Sequence, residues 1–262
     1  MPRPAARGKR VTDSGISDAE RPALASIDVL VLAGGLGTRI RPVLGDVPKV
    51  LAPIAGKPYL EYLLDWLRQF GIRRIVLGLG HRADAVLAHL QTRPAGGLDI
   101  ATVIEPAPLG TAGAIRLARS ELHSDPVLVM NGDSFADVDL GRFLESHRRA
   151  KARGSILCAM VEDAGRYGRV ILDGGGHIQS FAEKNVSFHG AALVNAGVYL
   201  LSADLLDEIA AGHAVSLERD VFERMPPGSL AAFTECRRFI DIGTPESLVR
   251  AGDVFGAATP LG

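Results

Sequence analysis

The most unusual stretch of the sequence is AGGLGTRIRP, residues 33 to 42, which follows directly on the apolar run IDVLVL. It holds three glycines and two arginines, more than a simple turn requires. A glycine-rich loop that leaves a strand exposes successive backbone N–H groups to phosphate oxygens, and Arg39 adds a permanently charged, forked donor. We therefore expect a phosphate-bearing ligand at this loop.

Two common phosphate motifs do not describe the loop. A P-loop requires GxxxxGK[ST], and the dinucleotide fingerprint requires GxGxxG with a helix starting at once. The letters GGLGTR match neither, and Pro42 with the turn-like LGDVPK argues against a long helix directly after the loop. A nicotinamide-dependent oxidoreductase would also need an acidic residue closing the second strand, and IVLGLGH at 75 to 81 offers none.

The loop is the first part of a longer pattern. Residues 33 to 58, AGGLGTRIRPVLGDVPKVLAPIAGKP, resemble the signature of the sugar-1-phosphate nucleotidylyltransferases, GGxGTRLxP…PKPxxPxxGKP. Further motifs of the family follow in the expected order: EPAPLGTAGA at 105 to 114, NGDS at 131 to 134, YGRV at 167 to 170, FAEKN at 181 to 185, NAGVY at 195 to 199 and FIDIGTPES at 239 to 247. Val50 and Asn185 depart from the family, which usually has proline at these positions.

The resemblance spans about residues 28 to 250 and is closest to the branch that makes GDP-activated mannose-type sugars. That branch includes mannose-1-phosphate and D-glycero-D-manno-heptose 1-phosphate guanylyltransferases. It implies transfer of GMP from GTP to a sugar 1-phosphate, with release of pyrophosphate, for surface polysaccharide synthesis such as capsule or lipopolysaccharide. GTP and the sugar 1-phosphate are the expected partners.

The resemblance also implies roles for individual residues. The implied catalytic residues are Arg39, Lys49, Asp133 and Lys184, and the implied Mg²⁺ ligands are Asp133 and Asp241. The implied nucleotide-binding residues are Ala33, Gly34, Gly35, Gly37, Thr38, Arg39, Lys49, Glu105, Leu109, Gly110, Thr111, Ala112 and Gly132. The implied sugar-binding residues are Gly168, Glu183, Lys184, Asn195 and Gly197.

The chemistry of such a transfer suits these residue types. A sugar phosphate, with a second pKa near ~6, is already largely dianionic at neutral pH, so no strong base is needed. The obstacle is repulsion between two polyanions, which cations and Mg²⁺ relieve, and Mg²⁺ takes only one or two protein carboxylates. Taken singly, Asp133 could be a turn or cap residue, Asp241 a partner of a nearby arginine, and Glu183 with Lys184 a solvated pair.

Glu105 is the candidate for reading the base. An ionised glutamate offers only acceptors, which suit the adjacent N1–H and N2 amino group of guanine. Uracil and thymine present one N3–H between carbonyl oxygens, which a carboxylate would repel. We therefore expect GTP to be preferred, although a surface carboxylate at a strand end is the alternative role for this residue.

Composition limits the other classes of function. The chain has 262 residues, 47% of them hydrophobic, and a formal net charge of −1, so neither nucleic acid nor an anionic membrane is attracted by the whole molecule. No apolar run approaches the ~20 residues of a bilayer span. Cys158 and Cys236 lie far apart and have no metal-binding spacing, which favours a reducing cytoplasm.

The order of apolar runs predicts the fold class. Strand-length runs in the first part (29 to 33, 75 to 79, 100 to 104 and 127 to 130) alternate with helical periodicity, which indicates βαβ units. A helix is predicted from Pro58 to Gly71, and another after Thr244. Short strands at 156 to 161, 169 to 172 and 194 to 201, joined by glycine-rich turns, predict a smaller mixed-strand part.

We therefore expect an α/β fold of the nucleotide-diphospho-sugar transferase type, with a Rossmann-like, mainly parallel sheet flanked by helices. Residues 1–26 are expected to form a flexible tail, 27–154 the nucleotide-binding half, and 155–262 the sugar-binding half with a C-terminal helix. The alternatives in function are a uridylyl- or thymidylyltransferase and a non-catalytic regulator that binds nucleotide sugars. The oligomeric state is left open, with a homo-oligomer among the alternatives.

Overall fold

The structure is a computed structural model that describes residues 20–93, 96–182 and 184–256. Its strands are β1 Asp28–Ala33, β2 Pro53–Ile54, β3 Lys57–Pro58, β4 Arg74–Leu79, β5 Asp99–Ile104, β6 Val127–Asn131, β7 Ser134–Asp137, β8 Gly154–Val161, β9 Arg169–Leu172, β10 Ile178–Ala182, β11 Ala192–Leu201, β12 Leu230–Phe233 and β13 Arg238–Asp241. Its α-helices are α1 Glu20–Ala25, α2 Arg41–Leu44, α3 Tyr59–Gln69, α4 Ala83–Thr92, α5 Gly110–Ala118, α6 Leu140–Ala150, α7 Ala203–Glu208 and α8 Pro245–Gly256. Short helical turns lie at Lys49–Leu51, Arg119–Glu121, Leu217–Val221 and Phe222–Arg224.

One mixed sheet runs through the molecule. Within the described ranges its main path is β10-β9-β11-β6-β1-β4-β5, and β8 pairs with β11 and with β12. The strands β6, β1, β4 and β5 are mutually parallel where they pair, whereas β11 runs antiparallel to β6 and β8. The sequence prediction of a mainly parallel first part and a mixed second part is confirmed.

The parallel strands are buried because their sequences are almost wholly apolar. Val29, Leu30 and Val31 of β1 have no exposed surface, and neither have Ile75 and Val76 of β4. Parallel strands of this kind are covered on both faces, here by α-helices that follow the strands in the chain. Since β1, β4, β5 and β6 are parallel, the residues after their carboxyl ends lie along one edge of the sheet, where α/β proteins bind ligands.

The two helices predicted from sequence are present. Helix α3 starts after Pro58 and buries its apolar stripe, including Leu60, Leu63 and Leu64. Helix α8 begins at Pro245, and the side chains of Thr244 and Ser247 hydrogen-bond each other's backbone N–H in a capping arrangement. In α8 the proline stands at the first helical position as expected, whereas Pro58 is the N-cap residue of α3 and lies just before its first helical residue, Tyr59.

The predicted tail of residues 1–26 is too long at its carboxyl end. Residues Glu20–Ala25 form α1, and Leu24 is only 2% exposed because it packs into the main core. The reason is physical: a single leucine on a short helix can bury its whole side chain even in a segment of polar composition. Residues 1–19 lie outside the described residues. Among the described helices, none is long and apolar enough to cross a membrane.

Candidate active site

The glycine-rich loop leaves β1 and continues into α2. Gly37 has a φ of 62°, and the N–H groups of Ile40 and Arg41 both donate to its carbonyl oxygen. A β-carbon on Gly37 would stand 3.3 Å from Cγ of Lys49, so the loop packs directly on that lysine. Arg39 is exposed, and its side chain has no hydrogen bond or ion pair to any described residue. The loop therefore presents backbone N–H groups and a free guanidinium at the edge of the sheet.

Lys49 and Asp133 form the central ion pair of this edge. Lys49 Nζ lies 2.9 Å from Asp133 Oδ2, with side chains that are 18% and 41% exposed. Asp133 follows β6 through Gly132, whose N–H donates to the carbonyl oxygen of Leu32 at 2.8 Å. This bond ties the loop after β6 to the end of β1. It places a carboxylate next to the glycine-rich loop.

Asp241, the last residue of β13, lines the same cavity as Asp133. Strand β13 pairs antiparallel with β7, with Asp241 opposite Ser134, and the N–H of Ile242 donates to the carbonyl oxygen of Asp133 at 2.9 Å. Tyr59 donates to the carbonyl oxygen of Ser134 at 2.7 Å. Burial raises the pKa of Tyr59, and the charges of Asp133 and Asp241 raise it further. The two aspartates, about 110 residues apart in sequence, thus meet at one point.

The two carboxylates fit a Mg²⁺ site. Among the described residues no group of three or more His, Cys, Asp or Glu side chains gathers as a complete metal cage. Mg²⁺ does not require one, because it keeps waters and substrate phosphate oxygens beside one or two protein carboxylates. Zn²⁺ in a structural site would need four protein ligands. The donor set of Asp133 and Asp241 therefore suits a hard ion that arrives with a phosphate substrate.

A cavity of about 330 Å³ opens on the β5 side of the loop. Of the implied nucleotide-binding residues, it is lined by Ala33, Gly34, Gly35, Lys49, Glu105, Gly110, Thr111 and Gly132, together with Asp133. These residues come from the end of β1, from the segments that follow β1, β5 and β6, from the start of α5 and, for Lys49, from the helical turn Lys49–Leu51. The sequence separates them by up to 100 positions, and the parallel sheet brings them together.

Glu105 lies partly buried in this cavity. The N–H of Leu109 donates to Glu105 Oε2 at 3.1 Å. Its other oxygen stands beside Gly34, where a β-carbon would come within 2.2 Å of Oε1. Partial burial raises the pKa of Glu105, and the N–H of Leu109 opposes that effect by stabilising the ionised form. The carboxylate of Glu105 therefore lies at the cavity wall, between Gly34 of the loop and the N–H of Leu109 at the start of α5.

Two of the implied nucleotide-binding residues support the site without facing the cavity. Leu109 donates its N–H to Glu105 and accepts a bond from the N–H of Val215. Ala112 is fully buried, and its N–H donates to the carbonyl oxygen of Val215. Both therefore fix the start of α5.

A second cavity, of about 430 Å³, continues from the first on the other side of Asp133. It is lined by Gly37, Thr38 and Arg39 of the loop, by Asp133 and Asp241, and by the implied sugar-binding residues Gly168, Lys184, Asn195 and Gly197. Both cavities share Gly35, Lys49 and Asp133, so they form one groove. Glu183, also implied as a sugar ligand, lies outside the described residues.

Sequence reasoning missed two residues of this groove. Asn131 lines both cavities and packs so closely on Gly197, at φ 73°, that a β-carbon there would come within 2.4 Å of Asn131 Nδ2. Glu218 lines the second cavity and accepts a hydrogen bond from Asn195 Nδ2 at 2.8 Å. Asn131 stands in the NGDS motif and could have been found there. Glu218 lies in an ordinary charged run and gave no signal.

A family model described as Nucleotidyl transferase matches residues 28–255, most of the chain. The chain belongs to this family. The resemblance on which the sequence analysis relied is therefore confirmed, and the matched range includes every strand and helix that forms the groove.

Similar proteins within the nucleotidyl transferase family are sugar-1-phosphate guanylyltransferases by name. A mannose-1-phosphate guanylyltransferase of Mycobacterium tuberculosis is 34% identical over 227 residues, which are 86% of this chain and 63% of that relative. A D-glycero-alpha-D-manno-heptose 1-phosphate guanylyltransferase of Campylobacter jejuni is 33% identical over 223 residues, 84% of this chain and 96% of that relative. The crystal structure of HddC from Yersinia pseudotuberculosis is 35% identical, with a TM-score of 0.79, and covers 87% of this chain and 99% of its own. A second structure of HddC is a complex with GMP-PN.

Proposed function

We propose that this protein transfers GMP from GTP to a manno-configured sugar 1-phosphate and releases pyrophosphate. One observation supports the proposal: a single groove is lined by the glycine-rich loop, by the Glu105 carboxylate in one cavity, by Gly168, Lys184, Asn195 and Gly197 in the other, and by Asp133 and Asp241. Relatives named as guanylyltransferases for mannose 1-phosphate and heptose 1-phosphate support the choice of both substrates.

The reaction needs positioning and charge neutralisation. An oxygen of the sugar phosphate attacks the α-phosphorus of GTP, a new P–O bond forms, and the bond from the α-phosphorus to the bridging oxygen of pyrophosphate breaks. The electron pair of that bond leaves with pyrophosphate, so no side chain has to take a proton from the dianionic nucleophile. The residues of the groove hold the two anions in line, which is the main source of rate in phosphoryl transfer.

Each charged residue has a task in this arrangement. Arg39 and Lys49 bind the triphosphate from the loop side, and Lys184 binds the sugar phosphate from the opposite wall. Asp133 and Asp241 would hold Mg²⁺, which when bound neutralises charge on the phosphate oxygens. Lys49 is paired with Asp133 at 2.9 Å, and a bound triphosphate would compete with Asp133 for Lys49, so that the Asp133 carboxylate would be available to hold Mg²⁺.

Glu105 selects guanine in this proposal. Its carboxylate has only acceptors, and one of its oxygens accepts a hydrogen bond from the N–H of Leu109 at the cavity wall. A base with adjacent N–H donors gains hydrogen bonds to an ionised group, whereas a carbonyl oxygen at the same place is repelled. Such a buried mismatch costs about 1–3 kcal/mol or more.

A matrix of substrates tests the proposal directly. GTP, UTP, dTTP, ATP and CTP are each offered with mannose 1-phosphate, D-glycero-α-D-manno-heptose 1-phosphate and glucose 1-phosphate, with Mg²⁺, and pyrophosphate release is measured. We expect the highest kcat/KM with GTP and a manno sugar. A preference for UTP or dTTP would make the protein a uridylyl- or thymidylyltransferase, and binding of GDP-sugars without any turnover would make it a regulator.

The product would be a GDP-sugar for surface polysaccharide synthesis. A nucleotide-activated sugar is a glycosyl donor, so a glycosyltransferase must consume it and a sugar phosphate-forming reaction must supply the substrate. Cys158 and Cys236 are both free thiols, in keeping with a reducing cytoplasm as the compartment.

A further inference from the structure

Both cavities of the groove are lined by the same five residues at the place where they join: Gly35, Leu36, Lys49, Asn131 and Asp133. We call this place the junction. If each substrate occupies the cavity proposed for it, the nucleotide and the sugar 1-phosphate meet there. The α-phosphorus of GTP is the atom at which the two substrates are joined. A side chain of the junction is therefore close to the phosphate oxygens that surround the reacting atom.

Among the described residues of the junction, Asn131 has the only side chain that is both polar and neutral. Lys49 and Asp133 are paired with each other at 2.9 Å, whereas the side-chain amide of Asn131 makes no hydrogen bond to any described residue. An amide has two N–H donors and carries no charge near neutral pH. Asn131 thus presents unused donors to the junction and adds nothing to its charge.

Two neighbouring strands restrict the position of this amide. Asn131 is the last residue of β6 and lies opposite Leu32 of β1 in their parallel pair. On the other side its amide packs against Gly197 of β11, so closely that a β-carbon on that glycine would overlap the amide nitrogen. Packing on both sides therefore limits the movement of the side chain without using its hydrogen-bonding groups. A donor that is already in place costs little reorganisation when a transition state forms beside it.

We propose that Asn131 is a further catalytic residue, which donates an amide N–H to a non-bridging oxygen of the α-phosphate of GTP. The inference rests on the proposed function. An oxygen of the sugar phosphate forms its bond to the α-phosphorus while the bond to the pyrophosphate oxygen breaks, and the electron pair of the broken bond leaves with pyrophosphate. The amide proton is shared and not transferred, so Asn131 is unchanged after each turnover.

The donor should act mainly on the transition state. The non-bridging oxygens of the α-phosphate change their positions as the phosphorus passes through the in-line transition state, and a donor in a restricted position can favour that geometry over the ground state. Arg39, Lys49 and Lys184 neutralise charge on both substrates, whereas Asn131 would act on one oxygen. Its loss should therefore lower kcat and leave the Michaelis constants nearly unchanged.

Asn131→Leu removes the donor, because leucine has nearly the shape of asparagine and no N–H. We expect kcat with GTP to fall about 100-fold, as when one donor to a transition state is removed, while KM for GTP and for the sugar 1-phosphate changes less than about 3-fold. Asn131→Asp also keeps the shape, but places a negative charge beside the phosphates and should lower kcat further. Gln91→Leu is the control, because Gln91 is an exposed amide on α4 that lines neither cavity, and it should keep the wild-type kcat.

Sulfur-substituted GTP distinguishes a contact with the α-phosphate from a general effect on the groove. GTPαS has two diastereomers, each with sulfur in place of one non-bridging oxygen of the α-phosphate, and sulfur is a weak hydrogen-bond acceptor. The diastereomer with sulfur beside Asn131 should react slowly in the wild type and lose little more in Asn131→Leu. For this compound the ratio of kcat with GTP to kcat with GTPαS should fall about 10-fold in the variant. The ratio for the other diastereomer should not change. If Asn131→Leu does not fold, the same two ratios are measured in Asn131→Asp.

The outcomes separate the inference from the proposed function. If the wild type transfers no GMP to any sugar 1-phosphate, the proposed function fails and the inference fails with it. If the wild type is active and Asn131→Leu keeps its kcat, or loses kcat while both GTPαS ratios stay unchanged, Asn131 does not contact the α-phosphate and the guanylyltransferase assignment stands. An increase only in KM for the sugar 1-phosphate would also overturn the inference, because the amide would then bind the sugar.

Discussion

Lys49 and Asp133 act as counterions to each other when no substrate is bound. Because the pair is partly shielded from water, removing one partner leaves the other charge without its counterion, which is unfavourable. A triphosphate with Mg²⁺ brings a new anion for the lysine and a new cation for the aspartate at the same time. We therefore expect metal and nucleotide to bind together more favourably than either binds alone.

Asp133→Asn and Asp241→Asn should each lower kcat by at least about 100-fold. Each change keeps the shape of the side chain and removes the charge that Mg²⁺ requires, and even residues behind a metal ligand affect activity 10–100-fold. Tm and Mg²⁺-dependent turnover are measured together. Asp84→Asn is the control, because Asp84 is an exposed aspartate on α4 outside the groove and should leave kcat unchanged. Near-normal kcat in either groove variant would exclude that aspartate as a ligand.

Arg39→Ala and Lys184→Ala should raise different Michaelis constants. Both side chains line the second cavity, but Arg39 belongs to the glycine-rich loop and Lys184 to the opposite wall. Loss of a charge-assisted bond to phosphate should raise KM about 10-fold or more for the substrate concerned. KM for GTP is expected to rise in Arg39→Ala and KM for the sugar 1-phosphate in Lys184→Ala. The reverse pattern would exchange the two roles.

Glu105→Gln should reduce the preference for GTP and change its pH dependence. Because burial raises the pKa of Glu105, its carboxylate becomes neutral at a higher pH than a solvated glutamate. The ratio of kcat/KM for GTP to that for UTP should therefore fall in the wild type as the pH is lowered toward this raised pKa. In Glu105→Gln the ratio should be at least about 10-fold lower and independent of pH. A wild-type ratio that does not change with pH, or that the variant keeps, would remove Glu105 as the selector.

At the scale of residues, the sequence was informative where a motif demands a particular chemistry. Asp133, Asp241 and Lys49 stand in motifs with defined letters, and the structure brings these three side chains to one point. Glu218 could not be predicted as a groove residue, because nothing in its local sequence, SLERD at 216 to 220, distinguishes a glutamate that faces a cavity from one that faces solvent. Only the pairing of β11 with β8 and β9, and the turn after residue 215, place it against Asn195.

The charged residues of the groove are brought together by several different strands. Parallel strands β1, β5 and β6 deliver the loop, Glu105 and Asp133 to one edge, and β13 returns Asp241 by pairing with β7. The apolar runs predicted the parallel strands β1, β4, β5 and β6 within one residue at each end, but they did not predict β7 or β13. They could not predict the pairing of β13 with β7, because antiparallel partners about 100 residues apart leave no periodic signal in the sequence.

Gly34 and Gly110 both line the first cavity, the one that contains Glu105, but replacing each by alanine should have different effects. In Gly34→Ala the new methyl group would lie at an ordinary 3.5 Å from the backbone nitrogen of Gly80 but would clash with the Glu105 carboxylate. That carboxylate is the end of a flexible side chain and can move at the expense of its hydrogen bond to Leu109, so the fold should remain stable and the GTP preference should fall. In Gly110→Ala the methyl group comes within 2.6 Å of the backbone oxygen of Val215, at a φ of 68°. The left-handed conformation alone costs roughly 1–2 kcal/mol, so Tm should fall by about 4 °C or more. Tm and the GTP to UTP ratio distinguish the two cases, and equal losses of Tm would contradict this account.

At the scale of the whole molecule, the predicted nucleotide-binding and sugar-binding halves share one sheet. Strand β11 of the second half pairs with β6 of the first within this sheet, and β13 pairs with β7 in a separate two-stranded sheet. The boundary predicted between residues 154 and 155 falls at the start of β8, inside that sheet. The position of Asp241 beside Asp133 therefore depends on the packing of the two halves against each other, including helix α8.

Phe255 near the end of α8 tests this dependence. Its ring packs on Phe135 of β7 at 5.1 Å and on Tyr62 of α3 at 4.7 Å between centroids, directly behind the strand that follows Asp133. Phe255 is partly buried, so Phe255→Ala should remove up to about 3 kcal/mol of stability, the lower end of the range for a core phenylalanine, and lower Tm by several degrees. Val249→Ala is the control on the same helix, because Val249 is 71% exposed and should change Tm little. If α8 holds β13 against β7, Phe255→Ala also raises the Mg²⁺ concentration needed for half-maximal turnover, whereas Val249→Ala does not. Equal effects of both substitutions on Tm and on the Mg²⁺ requirement would mean that α8 lies on the molecule without organising the two aspartates.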